Sequence, residues 1–270
     1  MCGIFGFTKF KKEDLEKARE SLHTLHHRGP DQWNDYFDKD IYIGHQRLSI
    51  LDLSEHGKQP MITPDEKVII TVNGEIYNFK ELRIELEELG HRFKSQTDTE
   101  VIIYAYIEWG IECIKRFNGM FAFSLYDNFN KKFYLCRDRY GIKPVYYHIT
   151  EDKTFIYASE IKSILEYKDY KSEVDKEALL EYFTFQNIFT NKTLHKDIKR
   201  SVALAAGLFS FYGKFKREIT KIDKSDFLDN FMKMFLGSLF TFMFFYLIAE
   251  ALKEQEKEEE IRSWRIKKEE

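Results

Sequence analysis

The sequence predicts an α+β protein, with helices layered on antiparallel strands over residues 1 to about 160. Two observations predict it: some segments space their apolar residues as one helix face, and others are short β-branched or aromatic runs. A third is an absence. Neither a Gly-x-x-x-x-Gly-Lys-Ser/Thr run nor a Gly-x-Gly-x-x-Gly run occurs anywhere, so the phosphate loops of doubly wound nucleotide-binding sheets are missing.

The elements follow in chain order. Ile4 to Thr8 reads as a strand beginning at the terminus itself. Leu15, Ala18, Leu22 and Leu25 are spaced 3, 4 and 3, the apolar face of a helix. Ile41 to Gln46 and Lys67 to Asn73 are strand-like. Phe79, Leu82, Leu86 and Leu89 predict a second amphipathic helix, ended by Gly90 as a C-terminal cap. Thr97-Asp98-Thr99-Glu100 has the capping-box pattern and opens a third helix running to Trp109. Met120 to Tyr126, Lys132 to Arg137, Val145 to His148 and Phe155 to Ala158 then form a strand-rich second half.

Composition narrows the function classes. Of 270 residues, 43% are hydrophobic and 32% charged, as in an ordinary globular protein, and the net charge of −3 gives no reason to expect nucleic acid as a partner. The three cysteines, Cys2, Cys113 and Cys136, are irregularly spaced, which argues for a reducing compartment rather than a disulfide framework. Charged residues from Lys9 to Asp14 follow the first apolar run at once, so no signal peptide is expected. The eight histidines form no metal-ligand spacing, and His23, His26 and His27 read as a solvated helix end.

Cys2 carries the most information. If Met1 is removed, its thiol and a free α-amine belong to one residue. An α-amine has an ordinary pKa of about 7.7 to 8.0, so near neutral pH it can take the thiol proton, through a water. Such a nucleophile brings its own general base. A penultimate cysteine alone reads better as a small apolar residue starting a strand, and only its company changes that.

That company is a set of strings: Met1-Cys-Gly-Ile-Phe-Gly6, His27-Arg-Gly-Pro-Asp31, Gly44-His-Gln-Arg-Leu-Ser-Ile-Leu-Asp-Leu-Ser54, Gln59-Pro-Met61, Asn73-Gly-Glu-Ile-Tyr-Asn78, Thr97-Asp-Thr-Glu100, Arg137-Asp-Arg-Tyr-Gly-Ile-Lys-Pro144 and Ala158-Ser-Glu160. Together they resemble the class II glutamine amidotransferases, the N-terminal-nucleophile hydrolases, in their asparagine-synthetase branch. The resemblance is nearly continuous from residue 1 to about 200. It implies a four-layer αββα sandwich with two antiparallel sheets over 1–172, a linker remnant over 173–200 and a divergent, mostly helical tail over 201–270.

The resemblance also implies roles. Cys2 would attack the glutamine side-chain amide, release ammonia and pass through a glutamyl thioester. Arg47 matches the arginine that holds the substrate carboxylate, a contact its guanidinium fork suits. Asp98 matches the residue that takes the substrate ammonium, although an acid at a helix start is favoured by the macrodipole in any case. Asn73 and Gly74 match the oxyanion hole, while Asn-Gly by itself more often marks a tight turn. Leu48, Leu51 and Glu75 lie in glutamine-contact segments. His27 and Arg28 read as a turn ordering the pocket wall, Tyr140 to Pro144 as architecture, and Cys113 and Cys136 as buried apolar residues.

The chain holds no Ser-Gly-Gly pyrophosphate loop, so no cofactor is expected in it; ATP and magnesium would enter only with a synthetase domain supplied in trans. L-glutamine is the expected partner, with a separate synthetase subunit or a second copy of the chain as protein partners. Met234 to Ala249 is sixteen residues without a charge, and 231–252 has the length of a membrane span. Basic residues upstream would leave the first domain in the cytoplasm, attached through this segment. A helix docked on an apolar partner, or a product of truncation or fusion, accounts for the same residues. Three readings therefore remain: a glutaminase of asparagine biosynthesis, an ammonia-supplying subunit for another amidating enzyme, and an idle membrane-tethered module.

Overall fold

The computed structural model describes residues 1–167, 170 and 172–201, together with the backbone of 209–210. These fall in one compact unit, Met1–Phe211. Its elements are β1 (Gly3–Thr8), α1 (Leu15–His23), β2 (Gln32–Phe37), β3 (Ile41–Arg47), β4 (Met61–Ile62), β5 (Val68–Ile76), α2 (Phe79–Glu88), α3 (Asp98–Trp109), β6 (Gly119–Asp127), β7 (Lys132–Arg137), β8 (Tyr146–Ile149), β9 (Phe155–Ala158), α4 (Ile161–Glu166), α5 (Lys176–Phe185), β10 (Ile198–Arg200) and β11 (Phe209–Ser210).

Two antiparallel sheets result, ordered β10-β8-β9-β1-β3-β2 and β11-β7-β6-β5-β4. Strand alternation sends each sheet's side chains two ways. From β1, Phe5 and Phe7 pack with Leu22 of α1 and Ile164 of α4, whereas Ile4 joins Ile43, Ile69, Phe133 and Tyr157 between the sheets. From β5 and β6, Val72 and Phe123 pack with Leu86 of α2 and Val101 of α3 on the far side. Helices, sheet, sheet and helices thus form four layers around three apolar cores. Full burial of one such Phe or Leu contributes roughly 2–3 kcal/mol.

Helix ends follow the local chemistry. Thr97 caps α3 by accepting the Glu100 N–H. The reciprocal half of the expected capping box is absent: the Glu100 carboxylate instead takes the N–H groups of Lys94 and Ser95 and the Ser95 hydroxyl. Of those donor residues Ser95 is buried, and a charged acceptor is worth more there than at the cap. Gly90, at φ +98°, follows the last residue of α2 and its cap Leu89.

Asn73-Gly74 is no turn. Both residues sit inside β5, opposite Ala122 and Phe121 of β6. The segment 173–200 carries α5, capped by Asp175, and β10, which pairs with β8. Among the described residues no helix is long and apolar enough to cross a membrane. The expected tail, 201–270 with its stretch 231–252, lies outside the described residues except for Ser201 and the backbone of 209–210.

Candidate active site

Cys2 stands directly before β1. Gly3 pairs with Gln46 of β3, so one further step of the register sets Cys2 beside Arg47. Alternation gives Cys2 the parity of Ile4, and Arg47 that of Ile43, so both share the face that looks between the sheets. Asn73 has the parity of Ile69 on β5 and faces the same space. His45 ties the two sheets here, with its Nε2 3.0 Å from the Val72 carbonyl oxygen.

The Cys2 Sγ accepts from the Leu48 N–H at 3.4 Å and lies 3.7 Å from the Leu48 carbonyl oxygen. Burial pushes the thiol pKa up; the Leu48 N–H, the chain's amino terminus and Arg47 pull it down, and Asp98 raises it. Arg47 and Asp98 are therefore close enough for their opposite charges to act on one thiol.

Arg47 is 6% exposed. Its guanidinium faces neutral acceptors: the carbonyls of Asp52 at 2.5 Å, Leu51 at 3.4 Å and Ser54 at 3.5 Å, and the Gln32 side-chain oxygen at 3.4 Å. Among the described residues no carboxylate pairs with it. The loop that encloses it is pinned twice, by Asp31 to the Ser49 N–H and by Asp52 to the Gln96 N–H. Gly57 closes the ring. A Cβ there would come within 2.2 Å of Arg47 Nη2.

Asp98 is also 6% exposed, in the first turn of α3. Its Oδ2 accepts the Ile76 N–H at 2.8 Å, and burial raises its pKa, opposed by that N–H. No described cation forms an ion pair with it. The site thus buries one positive and one negative group without neutralising either, an arrangement that an unpaired residue tolerates poorly. A ligand carrying a carboxylate and an ammonium would complete both.

Asn73 is 1% exposed, and neither polar atom of its side chain has a hydrogen-bond partner among the described residues. The neighbouring N–H groups explain Gly74. Val72 and Ile76 donate to Gln59 Oε1 at 2.6 Å and to Asp98 Oδ2 at 2.8 Å, so both point away from β6. Period two sends the Gly74 N–H to that same edge, between them. A Cβ on Gly74 would lie 2.2 Å from the Met120 carbonyl oxygen, so only glycine fits.

Cys2, Leu48 and Arg47 meet directly or through the register, Leu51 contributes its carbonyl to the Arg47 ring, and Asp98 joins through β5. Glu75 is half-buried on β5 and raises the Asp98 pKa. Arg28, as expected of the pocket wall, donates from Nε to the Cys2 carbonyl at 2.9 Å and from Nη1 to Glu160 at 2.8 Å. His27 is not simply solvated: its Nε2 lies 2.9 Å from the same Glu160 carboxylate. Sequence reasoning gave no contacts to Glu160, Gly57 or Asp52, although Glu160 and Asp52 stand in the quoted strings. Glu160 and Gly57 lie within or beside the motifs, but only the fold shows what they touch.

Comparison with known proteins agrees with this geometry. A family model described as a glutamine amidotransferase domain matches residues 1–219. Asparagine synthetase (glutamine-hydrolysing) 3 of Bacillus subtilis is 40% identical over 188 residues, which are 68% of this chain and 30% of that protein. Putative asparagine synthetase (glutamine-hydrolysing) 2 of Methanocaldococcus jannaschii is 36% identical over 242 residues, 82% of this chain and 46% of that one. The chain therefore spans less than half the length of these relatives. Among solved structures, the glutamine phosphoribosylpyrophosphate amidotransferase of B. subtilis, complexed with ADP and GMP, is similar with a TM-score of 0.53 at 21% identity. That match covers 64% of this chain and 45% of that one, and it supports the fold.

Proposed function

The chain belongs to the glutamine amidotransferase domain family, homologous to the glutaminase half of glutamine-hydrolysing asparagine synthetases, and from that premise we propose that it hydrolyses the side-chain amide of L-glutamine with Cys2 as nucleophile. One observation carries the reading: Arg47, beside Cys2 on the neighbouring strand, and Asp98 are opposite in charge, both buried, and without an ion pair among the described residues. An α-amino acid fits that pair, its carboxylate on Arg47 and its ammonium on Asp98.

Once Met1 is removed, the Cys2 α-amine takes the thiol proton through a water. The sulfur attacks the amide carbon, and the carbonyl electrons move onto oxygen. The Asn73 side-chain amide and the Gly74 N–H donate to that oxygen, which suits an amide buried without other partners. The amine returns its proton to the leaving nitrogen, ammonia departs and a glutamyl thioester remains. A water, deprotonated by the same amine, attacks the thioester; glutamate leaves and the thiol is restored.

The use of the ammonia is a further proposal. The relatives are named for asparagine synthesis, and this chain spans the smaller part of them. The nitrogen would pass to an amidating centre outside the matched residues, in asparagine formation or an equivalent amidation. Purified protein with glutamine should yield glutamate and ammonia, and Cys2→Ala should yield neither. Production by Cys2→Ala, or by a chain that intact mass shows to retain Met1, overturns the reading.

A further inference from the structure

We propose that Lys143 is a positioning residue for the Cys2 α-amine: its ammonium, on a buried residue, against the Met1 side chain and without an ion pair among the described residues, keeps that amine in the free-base form that catalysis needs. The inference rests on the proposed hydrolysis and adds the group that makes the terminal base effective.

Lysine is seldom buried without an anion. Lys143 is 7% exposed, in the turn between β7 and β8, and the contact its ammonium makes among the described residues is to the Met1 sulfur at 3.4 Å. A thioether is a weak acceptor. The backbone of the turn is well provided for. Asp138 takes the N–H groups of Tyr140, Ile142 and Lys143, and the Arg137 Nε donates to the Lys143 carbonyl at 2.7 Å. These bonds shape the turn without the ammonium, so the side-chain charge is unexplained by architecture.

Of the two cations against Met1, Lys143 is the one without an ion pair among the described residues. Arg28, also against Met1 with Nη2 4.0 Å from the sulfur, is ion-paired to Glu160 at 2.8 Å. His27 and Lys162 share that carboxylate, and Asp138 is occupied by backbone donors. On the pocket side, Arg47 and Asp98 carry opposite charges, and burial pushes the Cys2 thiol pKa up. When Met1 leaves, the new amine lies where its peptide nitrogen was. Covalent geometry sets that nitrogen about 6 Å or less from the Met1 sulfur, and so within about 10 Å of the Lys143 ammonium. A unit positive charge at about 10 Å, with an effective dielectric constant of about 20, disfavours the ammonium form by about one pH unit.

The test uses the full chain with Met1 removed, verified by intact mass, and carbon-13 at cysteine Cα; Cys2→Ala identifies the Cys2 signal. Its titration reports the amine directly, without glutamine. The wild-type midpoint is expected about one unit below the ordinary 7.7–8.0. Lys143→Met should raise it by about one unit, Lys143→Arg should leave it low, and the acid limb of kcat/KM should move in parallel. A wild-type amine at its ordinary value, or one unmoved by Lys143→Met, overturns the inference even if the enzyme is active. A low amine that Lys143→Met raises, in a protein that makes no glutamate, supports the Lys143 assignment and overturns the hydrolysis instead.

Discussion

Asn73→Ala separates catalysis from stability. In the ligand-free protein the Asn73 amide is buried with both polar atoms unpartnered among the described residues. An unsatisfied buried group costs roughly 1–3 kcal/mol, so removing it relieves the fold. Truncation also leaves a space of roughly 40 Å³, which costs about 1 kcal/mol. The balance is a gain of zero to about 2 kcal/mol, or up to about 8 °C in melting temperature for a unit of this size. In the transition state the same amide is to donate to the oxyanion, and loss of one such donor lowers kcat about 10²- to 10³-fold. Thermal unfolding beside steady-state ammonia release should therefore show a dead or nearly dead enzyme that is no less stable. A variant with kcat within about threefold of wild type, or one destabilised by more than about 2 kcal/mol, would refute the reasoning.

Gly57→Ala places a methyl against Arg47 Nη2 and is expected to raise KM for glutamine at least tenfold, with less effect on kcat; an analogue lacking the α-carboxylate should not register the change. Asp98 has a raised folded pKa, so the empty protein gains stability as pH falls from neutral through that value. Asp98→Asn should remove this gain, raise the neutral-pH melting temperature and abolish stabilisation by glutamine. His45 is fully buried and its pKa is lowered to about 4. The chain should lose about 3 kcal/mol as pH falls from about 6.5 to about 4, and denaturant midpoints of His45→Gln should lack that loss.

Periodicity made the helix-packed cores legible. Leu15, Ala18 and Leu22 do lie on the buried face of α1, and the runs of β5, β6, β7 and β9 are strands. β2 was not found, because Gln32-Trp33-Asn34-Asp35 is half-exposed at a sheet edge and gives no clean alternation. α5 was absorbed into the linker, since its apolar residues Leu180 and Phe183 are exposed and mark no single buried face. The pocket strings could be read from order and residue type. What they could not give was long-range company: Asp52 reaching Gln96 across 44 positions, or Lys143 reaching Met1 across 142. Such contacts depend on how the layers stack, which no local pattern records.

The first strand lies in the interior of its sheet, hydrogen-bonded to β3 on one side and β9 on the other. Chain ends are usually where a protein frays first. Here the amides of Ile4 to Phe7 should exchange with solvent only as slowly as the whole unit opens, so the segment that carries Cys2 is anchored as firmly as the core. A leader or purification tag fused ahead of Met1 would not loosen that anchor; it would instead have to thread out past Arg28 and Lys143, and on the proposed chemistry clean proteolytic trimming would decide whether a preparation is active.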